Sequence, residues 1–280
     1  MREAVKAQIA VLDKVHRTYF EGDRQKQLKT KIDEITALLD TRPIELVANK
    51  REKADLLYLR GRALDYLPEY SKSAEEYLSK AVKLLPGFFE AWDALGHVYW
   101  KKRDIAGARK CFEGSLEQNP LFPDALRHLS MVLRQLDDSN PESKKENFRQ
   151  SIALANKAVL QNLADSESWY VLGNAYLTNF FTNDQKAEDL NSALKAYKQA
   201  EQLQKEPNPD LYYNRGQIYE HLEKYNEAIQ DFNRAHEIDP TLQADKKASK
   251  IADLVAKASE PPKPRINPKS LLKFKTKQRF

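Results

Sequence analysis

Residues 90–120 read EAWDALGHVYWKKRDIAGARKCFEGSLEQNP, and this stretch decides the fold. Its signal is the spacing of Trp92, Leu95, Gly96, Tyr99, Ala108, Phe112, Ser115 and Pro120, which suits two antiparallel helices packed on each other. Small residues at Gly96 and Ala108 let the helices approach closely, and Trp92, Tyr99 and Phe112 fill the space beside that contact. Pro120 ends the second helix, because proline lacks the N–H that the helix needs and clashes with the preceding turn. The pattern then returns along the chain. Gly216, Tyr219, Ala228, Phe232, Ala235 and Pro240 match without a gap. Trp169, Leu172, Gly173 and Tyr176 match the first helix and Ala193, Tyr197 and Ala200 the second, with extra residues between. Gly61, Ala74, Leu78, Ala81 and Pro86 match with one extra residue, and Ser130, after Leu126 and Leu129, opens a weaker copy whose second helix is expected near 151–160. Equivalent positions thus fall at 61, 96, 130, 173 and 216, with insertions of about nine residues near 137–147 and 179–191.

A 34-residue helix-turn-helix unit with these residues is the pattern of the tetratricopeptide repeat. The fold class is therefore all-α, a right-handed solenoid with five repeats over residues 51–240. Upstream, Val5, Ile9, Leu12 and Val15, then Leu28, Ile32, Ile35 and Leu38, form two apolar stripes at helical period, which makes 1–50 a degenerate repeat or cap. Residues 241–258 read as a capping helix with Ile251, Leu254 and Val255 inward, since the last repeat of a solenoid would otherwise expose its core. PPKPRINPK breaks helix, so 259–280 is expected to be a disordered linker and tail.

Composition narrows the function. A single cysteine, Cys111, rules out an intrachain disulfide and suits a reducing compartment. The N-terminal twenty residues carry charges throughout their apolar pattern, unlike a secretory signal, and no run is long enough to span a membrane. A cytoplasmic protein, with a nuclear pool as an option, is expected. The sequence pI of 9.0 comes from the tail: residues 263–280 hold seven Lys or Arg and no acid, while 1–262 hold 39 basic and 41 acidic groups.

Nothing points to catalysis, a cofactor or a small-molecule substrate. His16, His97, His128, His221 and His236 have no metal-ligand spacing, and there is no glycine-rich phosphate loop. Cys111, beside Phe112, reads as a small buried hydrophobe, and Trp92 and Trp169 as core. The informative positions are those that the first helices turn toward the concave groove. The second position of each repeat is acidic: Asp55, Glu90, Asp124, Glu167 and Asp210. Favourable interaction with helix N-termini explains such a row by itself, and a negative rail for a ligand is the functional alternative. Opposite stand Arg62, Arg127 and Arg134, with Asn174 and Asn214 suited to hold peptide backbone. A groove of both signs suits a ligand with basic and acidic residues side by side. It weighs against a chaperone co-factor that clamps a C-terminal carboxylate, because acids stand where lysines are required.

At SKAVKL (79–84), EAWDALGHVYWKKRD (90–104), LSMVLRQL (129–136), SWYVLGNAYL (168–177) and NPDLYYNR (208–215), the chain resembles the tetratricopeptide repeat protein 5 family. The likeness covers roughly residues 50–260, and both insertions fall where that family has them. The resemblance implies a ribosome-associating factor that recognises the N-terminal Met-Arg-Glu of nascent tubulins and, through a downstream adaptor, triggers decay of the translated message. It places Arg134 against the peptide's Glu and Asp210 against its Arg, and the groove positions themselves add Tyr213, Asn174, Asn214 and Arg127 as candidate peptide contacts. A further groove acid of the family aligns with Ala244, leaving neighbouring Asp245 as the substitute. Lys80 and Lys83 match family lysines that touch ribosomal RNA near the exit tunnel, although two exposed lysines on a helix are also ordinary solvating charge. The family continues into an oligonucleotide/oligosaccharide-binding-fold domain, to which a nuclear role in stress-responsive transcription is mainly attached.

Overall fold

The computed structural model describes residues 7–12, 24–41, 43–136, 139–183 and 185–259. Val5, Val15, His16 and the tail 260–280 lie outside the described residues. A helical stretch at 7–12 precedes α1 (Arg24–Asp40) and a 3-10 turn (Ile44–Leu46). Five hairpins follow: α2 (Lys50–Asp65) with α3 (Lys72–Leu84), α4 (Phe89–Lys101) with α5 (Ile105–Gln118), α6 (Pro123–Leu133) with α7 (Pro141–Gln161), α8 (Ser166–Thr182) with α9 (Ala187–Leu203), and α10 (Pro209–His221) with α11 (Tyr225–Ile238). Helix α12 (Ala244–Ser259) closes the array against α11, and no strand occurs among the described residues.

The helix starts are written in the sequence. Asn49, Ser71, Asp104, Asn140, Asp165 and Asn208 each accept a backbone N–H of the first turn through the side chain, which satisfies donors the helix leaves orphaned. Two of the tight turns inside hairpins share one geometry. After α4, Asp104 N–H donates to Tyr99 C=O (3.0 Å) and Arg103 N–H to Trp100 C=O (2.9 Å), with Arg103 at φ 68°. After α10, Lys224 N–H donates to Tyr219 C=O (2.8 Å), with Glu223 at φ 58°. These are Schellman closures with a side chain where glycine is usual.

Close approach at the small positions is visible directly. A Cβ on Gly96 would lie 2.6 Å from the Phe112 ring, one on Gly173 2.6 Å from Tyr197, and one on Gly216 2.9 Å from Phe232. The third hairpin solves the same contact differently: Ser130 Oγ–H donates to Ser151 C=O and Ser151 Oγ–H to Ser130 C=O, both at 2.8 Å. Each fully buried aromatic anchor of this kind stabilises by about 1.5–3 kcal/mol.

Several sequence expectations need correction. The second helix of the third repeat is much longer than 151–160, running over Pro141–Gln161, because Asn140 and Pro141 start it early. Extra residues in the fourth repeat lengthen α8 and α9 to 17 residues each. Trp92 and Trp169 are half-buried, and each indole N–H donates to the carbonyl six residues back, Pro86 (2.8 Å) and Leu163 (2.9 Å), so they pin the inter-repeat loops. The final helix starts at Ala244, after a left-handed Gln243 (φ 52°). It buries Ala244, Ala248 and Ile251 and leaves Leu254 56% exposed, so Leu254 does not face inward. At the other end Leu39 is buried deeper than Leu38 beside Leu28, Ile32 and Ile35.

First helices also touch one another in series, α2–α4, α4–α6, α6–α8 and α8–α10. That contact puts them on the inside of the curve, where they line a groove. No described helix is long and apolar enough to cross a membrane.

Candidate peptide-binding groove

In the groove wall of the first three repeats several charges are already paired. Asp65, with 3% of its side chain exposed, sits against His97 Nδ1 (3.0 Å), Lys101 Nζ (3.1 Å) and Arg62 (3.4 Å). Burial alone would raise its carboxyl pKa, but these three neighbours more than offset it and hold it well below the usual carboxylate range. Asp93 accepts from His128 at 2.8 Å. Arg127 Nη1 donates to Asp165 (2.6 Å) and Ser168 (3.1 Å), while its Nη2 pairs with Asp124 and lies 3.7 Å from Glu167. Arg127 is thus held inside the fold, and Asp124, Asp165 and Glu167 share its single positive charge, while Arg62 is half-buried beside Asp65.

From the end of α6 onward the groove differs. Arg134 caps α6, half-buried, and its one side-chain hydrogen bond among the described residues is at the distance limit, Nη1 to Thr178 Oγ1 at 3.5 Å. No carboxylate pairs with it among the described residues, and its buried Nε has no partner. Burial pushes its guanidinium down to about 10, despite the neighbouring Tyr197 and Tyr170 hydroxyls. Asp210, in the first turn of α10, is half-buried and has no cation paired with it among the described residues. Burial raises its carboxyl above the ordinary range, with a further contribution from Asp239. An acid and a base without ionic partners among the described residues are costly for folding.

Between them stands an amide ladder. Asn174 Oδ1 accepts from Asn214 Nδ2 (3.0 Å) and from Tyr197 Oη–H (2.6 Å), and Gln217 Nε2 donates to Asn214 Oδ1 (3.3 Å). Tyr213 packs edge-on against Phe232 at 5.5 Å, and Lys247 Nζ lies 5.1 Å above its ring and 3.7 Å from Glu220. Asp245 is 3.4 Å from His236 on α11. Sequence reading missed Lys247, Tyr197 and Thr178. Lys247 was findable, because it stands 34 residues after Tyr213, at the same position of the next unit.

Lys80 and Lys83 lie elsewhere, exposed on α3. With Lys53, Arg60, Tyr77, Leu84 and others they line a surface concavity of about 570 Å³ beside the 3-10 turn. Neither is paired with a carboxylate among the described residues. Cys111 is buried, and burial pushes its thiol up to about 12, which suits packing rather than reactivity. No group of three or more His, Cys, Asp or Glu capable of holding a metal occurs among the described residues.

Stacked helical hairpins with a charged inner groove define a tetratricopeptide repeat protein. The tetratricopeptide repeat family matches residues 94–139 and 209–242. Among solved structures, a thermophilic repeat protein of Thermus thermophilus has TM-score 0.56 at 19% identity, covering 71% of this chain and 98% of that one. YrrB, described as having an unusual peptide-binding site, has TM-score 0.50 at 22% identity, covering 72% and 94%. Tetratricopeptide repeat protein 5 of Homo sapiens is 40% identical over 223 residues, 78% of this chain and 49% of that protein, and that of Mus musculus is 38% identical over 234 residues, covering 80% and 52%. Over that stretch the chain is similar to tetratricopeptide repeat protein 5. It spans about half the length of these relatives.

Proposed function

We propose that this protein is a peptide-reading adaptor whose groove, from Arg134 to Asp210, holds the N-terminal Met-Arg-Glu of nascent tubulins at the ribosome and so commits the translated message to decay. The observation that carries it is the pair of half-buried, opposite, unpaired charges in a groove whose other arginines are spent on the protein itself. An adjacent Arg and Glu supply both missing partners, and Asn174 and Asn214 lie between to hold main chain. The peptide-binding site described for YrrB is a precedent for this use of the fold. Asp245, engaged with His236, is a weaker stand-in for the acid that Ala244 replaces.

The test is titration of a Met-Arg-Glu peptide. Arg134→Glu is expected to abolish binding with the helical signal unchanged, since the reversal costs a few kcal/mol by facing the peptide's Glu with its like. Unaltered affinity overturns the assignment. For the ribosome, Lys80→Glu with Lys83→Glu should weaken co-sedimentation and flatten its salt dependence, because fewer counterions are released. Peptide affinity should stay intact in that double variant. Unchanged sedimentation would reduce these lysines to solvating charge.

A further inference from the structure

The register of the fifth hairpin fixes what stands beside Asp210. Arg215 on α10 pairs with Asp231 on α11 at 2.7 Å, and a Cβ on Gly216 would lie 2.9 Å from the Phe232 ring. The two helices run antiparallel, so Asp210 lies level with residues 236–238, at the end of α11. Next comes Asp239, half-buried, which leads into the 3-10 turn Pro240–Leu242 that joins α11 to α12. Its Oδ1 accepts from the Thr241 backbone N–H (2.8 Å) and hydroxyl (2.5 Å), which fixes the side chain. Its Oδ2 has no hydrogen bond, and the carboxylate no cation, among the described residues. Other charges at this end are engaged: Asp245 lies 3.4 Å from His236, and Lys247 lies 3.7 Å from Glu220. Ala244 is fully buried and brings no charge. Asp239 also adds to the upward push on the Asp210 carboxyl, after burial, as a nearby like charge does.

We infer that Asp239 is a specificity-determining residue of the groove, a second acid that holds the ligand's basic residue between itself and Asp210. Two carboxylates on different elements suit a guanidinium, whose planar fork presents N–H donors along two edges. They suit an ammonium less, because it is a compact point charge that gains little from a second acid placed at a fixed angle. The groove therefore selects Arg over Lys at this position. Asp245, one turn into α12 and turned to His236, adds little to that choice. The inference rests on the groove reading above.

Two measurements on the full chain test it. Asp239→Asn removes the charge and keeps an oxygen for Thr241, so the melting temperature should hold. In the unliganded protein, the Asp210 carboxyl followed by NMR should titrate at lower pH in Asp239→Asn than in the wild type. An unmoved titration would place Asp239 too far from Asp210 and overturn the inference. In titrations with Met-Arg-Glu and Met-Lys-Glu peptides, the wild type should favour Arg by about tenfold, and Asp239→Asn should cut this to about threefold or less by weakening the Arg peptide. Asp245→Asn should leave the preference as it is. A preference that survives in Asp239→Asn, or falls equally in Asp245→Asn, sinks the proposal while Met-Arg-Glu binding by the wild type still upholds the groove. A wild-type chain that binds neither peptide sinks the groove reading, and the role of Asp239 with it.

Discussion

Asp210 and Arg134 are both taken partly out of water with no ionic partner among the described residues, so each charged form is disfavoured in the folded state: the Asp210 pKa is raised and the Arg134 pKa is lowered. The sign for Asp210 follows. Its ionised form costs stability above the raised folded pKa, and that cost is relieved as pH falls through it. Asp210→Asn is therefore expected to leave thermal stability at neutral pH equal or higher, while weakening Met-Arg-Glu binding. Calorimetric melting and titration on one sample check both, and a clear loss of melting temperature would mean the carboxylate supports the α10 N-terminus instead. In the wild type, peptide affinity should decline on acidification at a higher pH than an ordinary Asp would give. The asparagine ladder beside it was legible as polar groove positions, but its hydrogen-bond direction was not.

The hairpin is the element at which small and large residues must match. Gly173 faces the Tyr197 ring so closely that an added methyl would sit 2.6 Å from it, and the ring is fully buried with nowhere to move. Gly173→Ala should cost about 1–3 kcal/mol in urea unfolding, the usual penalty of overpacking. Gly87 is the control, since a Cβ there meets only Gln118 Oε1 at 3.9 Å, and Gly87→Ala should be near neutral. Equal effects at both sites would contradict the packing account. The spacing from a glycine to a large residue made four of the hairpins readable from sequence. The Ser130–Ser151 pair was only half readable, because two hydroxyls exchanging hydrogen bonds leave no large residue to mark the second helix. Leu254 misled for a related reason: apolar periodicity marks a face but not a partner, and among the described residues no helix packs on that side of α12.

Across the whole array, electrostatics divides the groove into a self-paired half and an open half. In the paired half, His128 links α6 to Asp93 on α4 at 2.8 Å, near Arg127 and Asp124 and with the His97 ring 5.6 Å away. Burial would lower its pKa, but the Asp93 charge and hydrogen bond outweigh it and raise it above 6.5. The stabilisation from this pair is fully present below 6.5 and fades as pH rises through the higher folded value. Melting temperature should therefore fall across roughly neutral to mildly alkaline pH, and His128→Gln should flatten that slope. An identical slope in the variant would remove His128 from the account. Because each repeat of a solenoid contacts only its neighbours, hydrogen exchange should register the loss first at α4–α6.

What the sequence by itself determined was local: helix starts at Asn, Ser and Asp caps, close hairpin contacts at Gly61, Gly96, Gly173 and Gly216, and a basic tail on a nearly neutral body. Those features depend on residues within one repeat, where spacing fixes who meets whom. The tertiary structure alone decided which groove charges are spent and which are open. His97 meets Asp65 across 32 residues, Arg127 meets Asp165 across 38, and Arg134 reaches, among the described residues, a hydroxyl 44 residues away. These pairings cross from one repeat to the next, so they follow from how hairpins stack. Of three arginines of equal standing in the sequence, Arg62 pairs within its own helix, Arg127 becomes an internal strut because stacking brings Asp165 to it, and Arg134 meets no carboxylate among the described residues.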